Sequence, residues 1–177
     1  VTSLIMILPT FLDLKTHGEK LTSVDRLFTE KTWFLDIFAK NFIGSFDTTK
    51  YGSIPMIYVG IVPLLLAILF FTLKSIKFHV KLSYFFLIII FIASFSLERL
   101  DLFWQGMHAP NMFLHRYSWL FSLFIIFLAS ETLQRLKQIK FKNLIISFTI
   151  LSIGFILVFV FRKHYDFLGP VNFILTL

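Results

Sequence analysis

Four apolar runs, at 54–73, 80–97, 117–133 and 144–161, constrain this chain more than any other feature. Each is close to the ~20 residues with which a helix crosses the hydrocarbon core of a bilayer. In lipid every backbone N–H and C=O must be satisfied by the protein, and a helix does this within one segment. The runs therefore predict an all-α fold, a polytopic membrane helical bundle. Composition agrees: 57% of the 177 residues are hydrophobic and 15% are charged, against about 25% charged in a soluble domain. Without Cys the chain is no disulfide scaffold. Its hydrophobicity excludes a disordered tail or a soluble enzyme domain.

Shorter apolar segments stand at both ends. Residues 1–12 begin already apolar, with neither the basic start nor the small-residue cleavage site of a signal peptide. Residues 167–177 stop partway into another apolar run. Both are expected to be truncated spans, so that 1–177 reads as one fragment of a larger transmembrane domain. Pro55 suits the first turn of a helix over 54–73, where a missing N–H costs nothing. Pro63, deeper in the same run, is expected to kink it.

The net charge of +7 raises the question of nucleic acid, and its placement answers it. Lys74, Lys77 and Lys81 flank one short turn, while Arg135, Lys137, Lys140 and Lys142 fill another; with Glu131 the only acid, these turns hold +6 of the net +7. The stretch 13–53 balances six basic residues against six acidic ones, and 98–116 balances two against two. Basic turns alternate with balanced loops, as the positive-inside rule requires. That puts 74–81 and 134–143 in the cytoplasm and 13–53 and 98–116 outside a cell membrane crossed several times. Cations divided between two short turns form no groove for nucleic acid. Within the outer loop 13–53, Trp33, Phe34, Ile37, Phe38, Phe42 and Ile43 recur at helical spacing, with Lys31, Asp36 and Lys40 on other faces. This is an amphipathic helix, lying either in the outer membrane interface or against the outer ends of the spans.

The loop 98–116 carries the densest chemistry. Arg116 stands at the start of a predicted helix, where orphan N–H groups and the helix dipole favour an anion. Its planar guanidinium can take two phosphate oxygens at once; the alternative is an interfacial anchor snorkelling to lipid headgroups. His108 and His115, seven residues apart, are candidate phosphate partners of Arg116, proton carriers near neutral pH, or hydrogen-bonded loop residues. A metal site would need more ligands, and no Cys or clustered carboxylate supplies them. The sequence identifies no cofactor and leaves a divalent metal open. Trp104, Tyr117 and Trp119 offer rings that could stack on a sugar or sit in an aromatic belt. Asp13, Asp36 and Asp47 are carboxylates able to act as a base, with nothing to set any of them against a nucleophile. Glu131, four residues before Arg135, suits a helical ion pair. There is no phosphate-binding Gly loop, GxSxG elbow or HExxH motif. No charged residue lies at mid-depth in the runs, which argues against a proton or ion pathway. Pro63 and Gly154 are weak signs of the broken helices that transporters use.

Two blocks resemble a known family. Ile43-Gly44-Ser45-Phe46-Asp47-Thr48-Thr49-Lys50-Tyr51-Gly52-Ser53-Ile54-Pro55, continuing to Leu64, resembles the loop-to-helix block of the bacterial YfhO membrane-protein family. Phe103-Trp104-Gln105-Gly106-Met107-His108-Ala109-Pro110-Asn111-Met112-Phe113-Leu114-His115-Arg116-Tyr117-Ser118 is similar to that family's external loop, in which Pro, an aromatic and an Arg-Tyr pair lead into the next span. The resemblance runs from Leu8 to Leu133. It implies a GT-C-like fold and an enzyme that takes a sugar from a polyprenyl-phosphate carrier on the outer face of the membrane. The acceptor it implies is a cell-surface polymer such as lipoteichoic or wall teichoic acid in Gram-positive bacteria. Arg116 falls on the Arg-Tyr position and is expected to contact the carrier phosphate with His108 and His115, while Trp104 and Tyr117 contact sugar or carrier. The catalytic carboxylate is expected upstream of Val1. Leu114-His115 departs from the aromatic pair expected before Arg116. Membrane lipid, the lipid-linked sugar and the polymer are the expected partners. The competing expectation is a non-catalytic or transport role, a flippase or assembly subunit in envelope biogenesis.

Overall fold

A computed structural model describes residues 9, 12, 26–29, 32–47, 53–108, 110, 112 and 114–176. Most of the expected span over 1–12, together with Asp13 and Lys31, lies outside them. Among the described residues there are seven α-helices and no strand: α1 (Asp36–Ala39), α2 (Ile61–Thr72), α3 (Phe78–Ser96), α4 (Glu98–Trp104), α5 (Ser118–Leu133), α6 (Phe141–Val160) and α7 (Pro170–Thr176). Single turns of 3-10 helix at Leu136–Gln138 and Arg162–His164 join or end the longer ones. One isolated antiparallel bridge, Phe28 to Leu97, ties an early segment to the junction of α3 and α4.

The last three apolar runs fold as continuous helices because nothing breaks them, and which face is buried follows from helical spacing. On α3, Val80, Tyr84, Ile88 and Phe91 turn inward in line with buried Phe95. Phe85, Phe86, Ile89 and Ile90 point outward and stay exposed. On α6, Ser147, Leu151, Gly154, Phe155 and Val158 are buried, while Ile145, Phe148, Ile153 and Ile156 are exposed. A helix that is apolar on its outer face as well as its inner one suits lipid. With 19 and 20 residues respectively, α3 and α6 are long and apolar enough to cross a membrane. The 12 residues of α2 and 16 of α5 reach only about 18 and 24 Å at the 1.5 Å rise of a helix.

The core forms where α2 packs on α5 and α6. Leu64, Ala67 and Phe70 meet Phe121, Ile125 and Leu128 from α5 and Leu151, Phe155 and Val158 from α6. At one end of this bundle lie the lysine-rich turns. There Lys81 Nζ donates to the Phe71 carbonyl at 2.8 Å, and Arg135 pairs with Glu131 as expected for an i, i+4 pair.

The other end holds the surprises. The helix expected from Pro55 onward starts at Ile61, and 53–60 is extended. Gly60 ends that stretch at φ 85, a left-handed geometry that favours glycine. Pro63 therefore sits in the first turn of α2, where its missing N–H breaks no helical bond, and the expected kink gives way to a helix start. The extended backbone is satisfied by side chains. Asn41, 1% exposed, accepts from the N–H groups of Val59 (2.9 Å) and Gly60 (3.1 Å). The same amide donates to the carbonyls of Ile57 (3.3 Å) and Ile37 (2.6 Å). Ser118 Oγ donates to the Met56 carbonyl, 3.1 Å, and Asp47 accepts from the Ile54 N–H, 3.0 Å.

The segment around Trp33–Ile43 is helical only over Asp36–Ala39, with turns on either side. Of the two placements weighed for it, it takes the packed one: Leu35, Ala39 and Phe42 are fully buried, and α1 lies on α6. Its polar face is buried as well, including Asp36 and Lys40. Gly154 makes this possible. A Cβ there would overlap the Phe38 ring, so the glycine marks a close approach within a continuous α6.

Two substitutions test this account. Asn41→Ala leaves two N–H groups and two carbonyls of the α1–α2 junction without partners and should lower stability by about 4 kcal/mol, read by detergent or thermal unfolding of the full protein. Gly154→Ala, which in an exposed helix would gain about 1 kcal/mol, should destabilise here because Phe38 has to move.

Candidate functional site

The polar end of the bundle is assembled by α4, the loop after it and the start of α5. Leu97, in extended geometry, breaks the chain between α3 and α4. The loop after α4 then turns back through left-handed Gly106 and Met107 and brings 114–118 beside the extended 53–60 segment. Tyr117 precedes α5, and its hydroxyl donates to the Ser94 carbonyl at 2.7 Å. Trp104 Nε1 donates to Ser94 Oγ at 3.1 Å. The rings stack in sequence, Trp104 on Tyr117 (5.3 Å, 18°) and Tyr117 on Phe95 (5.3 Å, 14°). Tyr117 is buried within this stack, whereas Trp104 keeps 43% of its surface exposed.

His115 is the residue this scaffold holds most firmly. It is 2% exposed, with its Nδ1 2.8 Å from Asp101 Oδ1 and its ring edge against Phe95 at 5.9 Å. An ionised carboxylate only accepts, so the hydrogen of this bond belongs to Nδ1. The second oxygen of Asp101 accepts from Gln105 Nε2, one helical turn on, at 2.8 Å. His115 has φ 56, a left-handed conformation in a residue with a side chain. Next to it Arg116 is exposed and donates to the Met112 carbonyl at 3.3 Å. Ser53, Met56, Leu114, His115, Arg116 and Ser118 line an open cleft of about 340 Å³ at the start of α5.

The five residues singled out in the sequence thus fall into three places. Arg116 and His115 share the cleft. Trp104 and Tyr117 form the stack behind it. His108 is exposed on the loop beyond Met107, outside the cleft lining. Sequence reasoning weighed Asp101 only as a balancing charge; its pairing with a histidine 14 positions later depends on how the loop closes. Among the described residues no group of three His, Cys, Asp or Glu could hold a metal ion.

A second polar cluster lies nearby. Asp36 is 4% exposed; it accepts from the Tyr165 hydroxyl at 3.0 Å and the Trp33 N–H at 2.7 Å. Burial pushes its carboxyl up to about 6, against the opposing pull of those two bonds and of His164 and His115. The same burial, with the Asp36 charge, holds the Tyr165 phenol above its ordinary range. Lys40 is buried 3.6 Å from Asp47 and 4.6 Å from the centre of the Phe167 ring, and burial lowers its pKa. Trp33 also packs on His164 and Phe161, each at 5.1 Å, and these three line a second open cleft with Thr32, Val160 and Lys163.

Set beside known proteins, the whole of residues 1–177 matches the family described as bacterial membrane protein YfhO. The chain belongs to the YfhO family. No curated protein and no solved structure matches it. As a YfhO protein it is a membrane protein, which agrees with the lipid-suited outer faces of α3 and α6. Both blocks that carry the resemblance meet at one end of this YfhO chain, where Met56 and Ser118 are hydrogen-bonded.

Asp36 predicts a pH dependence. Its folded pKa, about 6, lies above the ordinary 3.8, so the folded state holds its proton to higher pH than the unfolded one. Its contribution is greatest below about pH 4 and is lost as pH rises through 6, a fall of about 3 kcal/mol. Asp36→Asn should abolish that fall in unfolding measurements from pH 4 to 7.5.

Proposed function

We propose that this protein is the part of a GT-C-type membrane glycosyltransferase that grips a polyprenyl-phosphate sugar donor, for transfer to a cell-surface polymer such as lipoteichoic or wall teichoic acid. The observation that carries the reading is the cleft at the start of α5, where Arg116 and His115 stand beside Ser53 and Ser118. A lipid-linked donor needs an apolar path for its tail and a cationic, hydrogen-bonding pocket for its phosphate at the end of that path. The exposed apolar faces of α3 and α6 supply the first. Arg116, whose planar fork suits two phosphate oxygens, supplies the second. The lysine turns face the cytoplasm under the positive-inside rule, which puts the cleft on the outer face of a protein that crosses the membrane several times.

In this mechanism a carboxylate outside the described residues activates the acceptor hydroxyl. The carboxylate takes the hydroxyl proton, the acceptor oxygen bonds to the anomeric carbon as that carbon's bond to the phosphate oxygen breaks, and the electron pair of the broken bond leaves with the polyprenyl phosphate. Arg116, with His115 beside it and His108 on the same loop, offsets the charge growing there, the dominant kind of help at a departing oxyanion. Trp104, stacked on Tyr117 and Phe91 yet 43% exposed, would meet the sugar or carrier with the part of its ring that the stack leaves open. One observation favours the competing role of a flippase: the extended 53–60 stretch interrupts an apolar run, as the broken helices of transporters do.

Sugar transfer from a polyprenyl-phosphate donor by the full-length protein in liposomes tests the reading. Arg116→Ala should lower kcat about a hundredfold. Transfer at the wild-type rate and donor affinity would return Arg116 to membrane anchoring. Labelled carrier crossing the bilayer with no transfer from any donor would favour the flippase.

A further inference from the structure

We propose that Asp101 and His115 make phosphate binding in the Arg116 cleft depend on a single proton, with Asp101 as the positioning residue and Nε2 of His115 as the atom that meets the phosphate. The proposal rests on the reading of that cleft as a phosphate site and adds the group that governs its occupancy. Asp101 accepts from Nδ1 at 2.8 Å and is itself fixed by Gln105 at 2.8 Å. The imidazole can then neither rotate nor exchange nitrogens without breaking a buried bond. The left-handed φ of His115 is held by these surrounding contacts, which fix the residue's position. With Nδ1 committed, Nε2 is the ring nitrogen left for a ligand in the cleft that His115 lines with Arg116. Protonated, Nε2 donates to a phosphate oxygen alongside the guanidinium. Deprotonated, it turns a lone pair toward the anion, and the interaction becomes repulsive.

The charged and titratable groups around the ring come from three elements. Asp101 belongs to α4, Arg116 adjoins His115 on its own loop, and Asp36 on α1 is close enough to interact with the imidazole electrostatically. Tyr117, with ring centroid 6.4 Å away, has its hydroxyl donated to Ser94. Phe95, Ser53 and Ser118 complete the surroundings without titrating. Raising the pH therefore removes one donor from the clamp and leaves the guanidinium.

The test is binding of citronellyl methyl phosphate, a diester whose single charge is fixed across the range, to the full-length protein in nanodiscs from pH 5 to 9. The wild type should lose affinity as the pH is raised and level off at the weaker binding that the guanidinium gives alone. Asp101→Asn should weaken binding at pH 5.5 about tenfold and flatten the profile. His115→Gln, which keeps an N–H donor but cannot titrate, should bind with no pH dependence. Wild-type affinity and profile in Asp101→Asn, with binding abolished in Arg116→Ala, would overturn the clamp and keep the cleft as a phosphate site. Should Asp101→Asn fail to fold, a persisting pH dependence in His115→Gln overturns it equally. No binding by the wild type at any pH would overturn the reading of the cleft itself. Dimethyl phosphate separates the sources: the same proton-linked profile without a prenyl chain supports the clamp and assigns it to a water-borne phosphate ester.

Discussion

A backbone that leaves helical geometry inside an apolar bundle must find partners for its N–H and C=O groups, and in this protein one side chain supplies most of them. Asn41 uses both lone pairs and both hydrogens on the backbone of residues 37 and 57–60. An amide is the side chain best matched to that task, because it alone offers two donors and two acceptors without charge. The consequences reach well beyond the turn. Because Asn41 has to lie against 57–60, the segment that carries it must enter the bundle, which requires Gly154 to admit Phe38 and sets Phe42 edge-on against Phe155 and Phe173. Helix α7 then locks the arrangement, with Asn172 donating to the Ile43 carbonyl at 2.9 Å. The end of the bundle that carries the cleft is thus ordered through a short polar segment that a membrane interface alone would have left outside.

That end also concentrates the electrostatic cost of the fold. Asp36, Lys40, Asp101 and His115 are all buried there, whereas the described charges of the lysine turns stay at least partly exposed. A buried charge is tolerated only when paired and hydrogen-bonded, and each of these four has a partner: Tyr165 and Trp33, Asp47, His115 and Asp101 respectively. The raised Asp36 carboxyl shows that pairing does not fully offset burial. Clusters that oppose stability in this way are found preferentially at functional sites. Left-handed Met107 and His115 belong to the loop that closes over the same end.

The class of the fold was legible in the sequence, and so was the family, because both are written in long patterns. Apolar runs fix helices and their lipid-facing sides, and the two resembling blocks are contiguous in the chain. What escaped reading depends on contacts between distant residues. Pro63 looked like a kink because its position within an apolar run is visible, whereas the Asn41 amide that delays the helix until Ile61 is not. Asp36 and Lys40 fell on the polar face of an amphipathic pattern, and periodicity alone cannot say that a second polar layer, from Tyr165 and Asp47, is waiting to receive it. Arg116 and His115 were legible as chemistry. Asp101, which makes His115 directional, was not, since 14 residues of loop separate the two and only the closed loop brings them to 2.8 Å.

The contrast between an anchoring arginine and a phosphate-binding one comes down to what surrounds the guanidinium. An anchor needs only a flexible stem and access to headgroups, and any neighbouring side chains will do. A receptor gains from donors already fixed before the ligand arrives, because they need no reorganisation, and from apolar walls, because they weaken screening. The receptor role proposed for Arg116 would draw on such a frame: His115 is immobilised through Asp101 and Gln105, Ser118 is held through the Met56 carbonyl, and Met56 and Leu114 furnish apolar wall. Among the described residues Arg116 makes one long bond, to the Met112 carbonyl, so an exposed charge stands among groups that are already held. An anion entering the cleft would order one flexible side chain against a frame that the buried interactions of α1, α4 and α5 have already set.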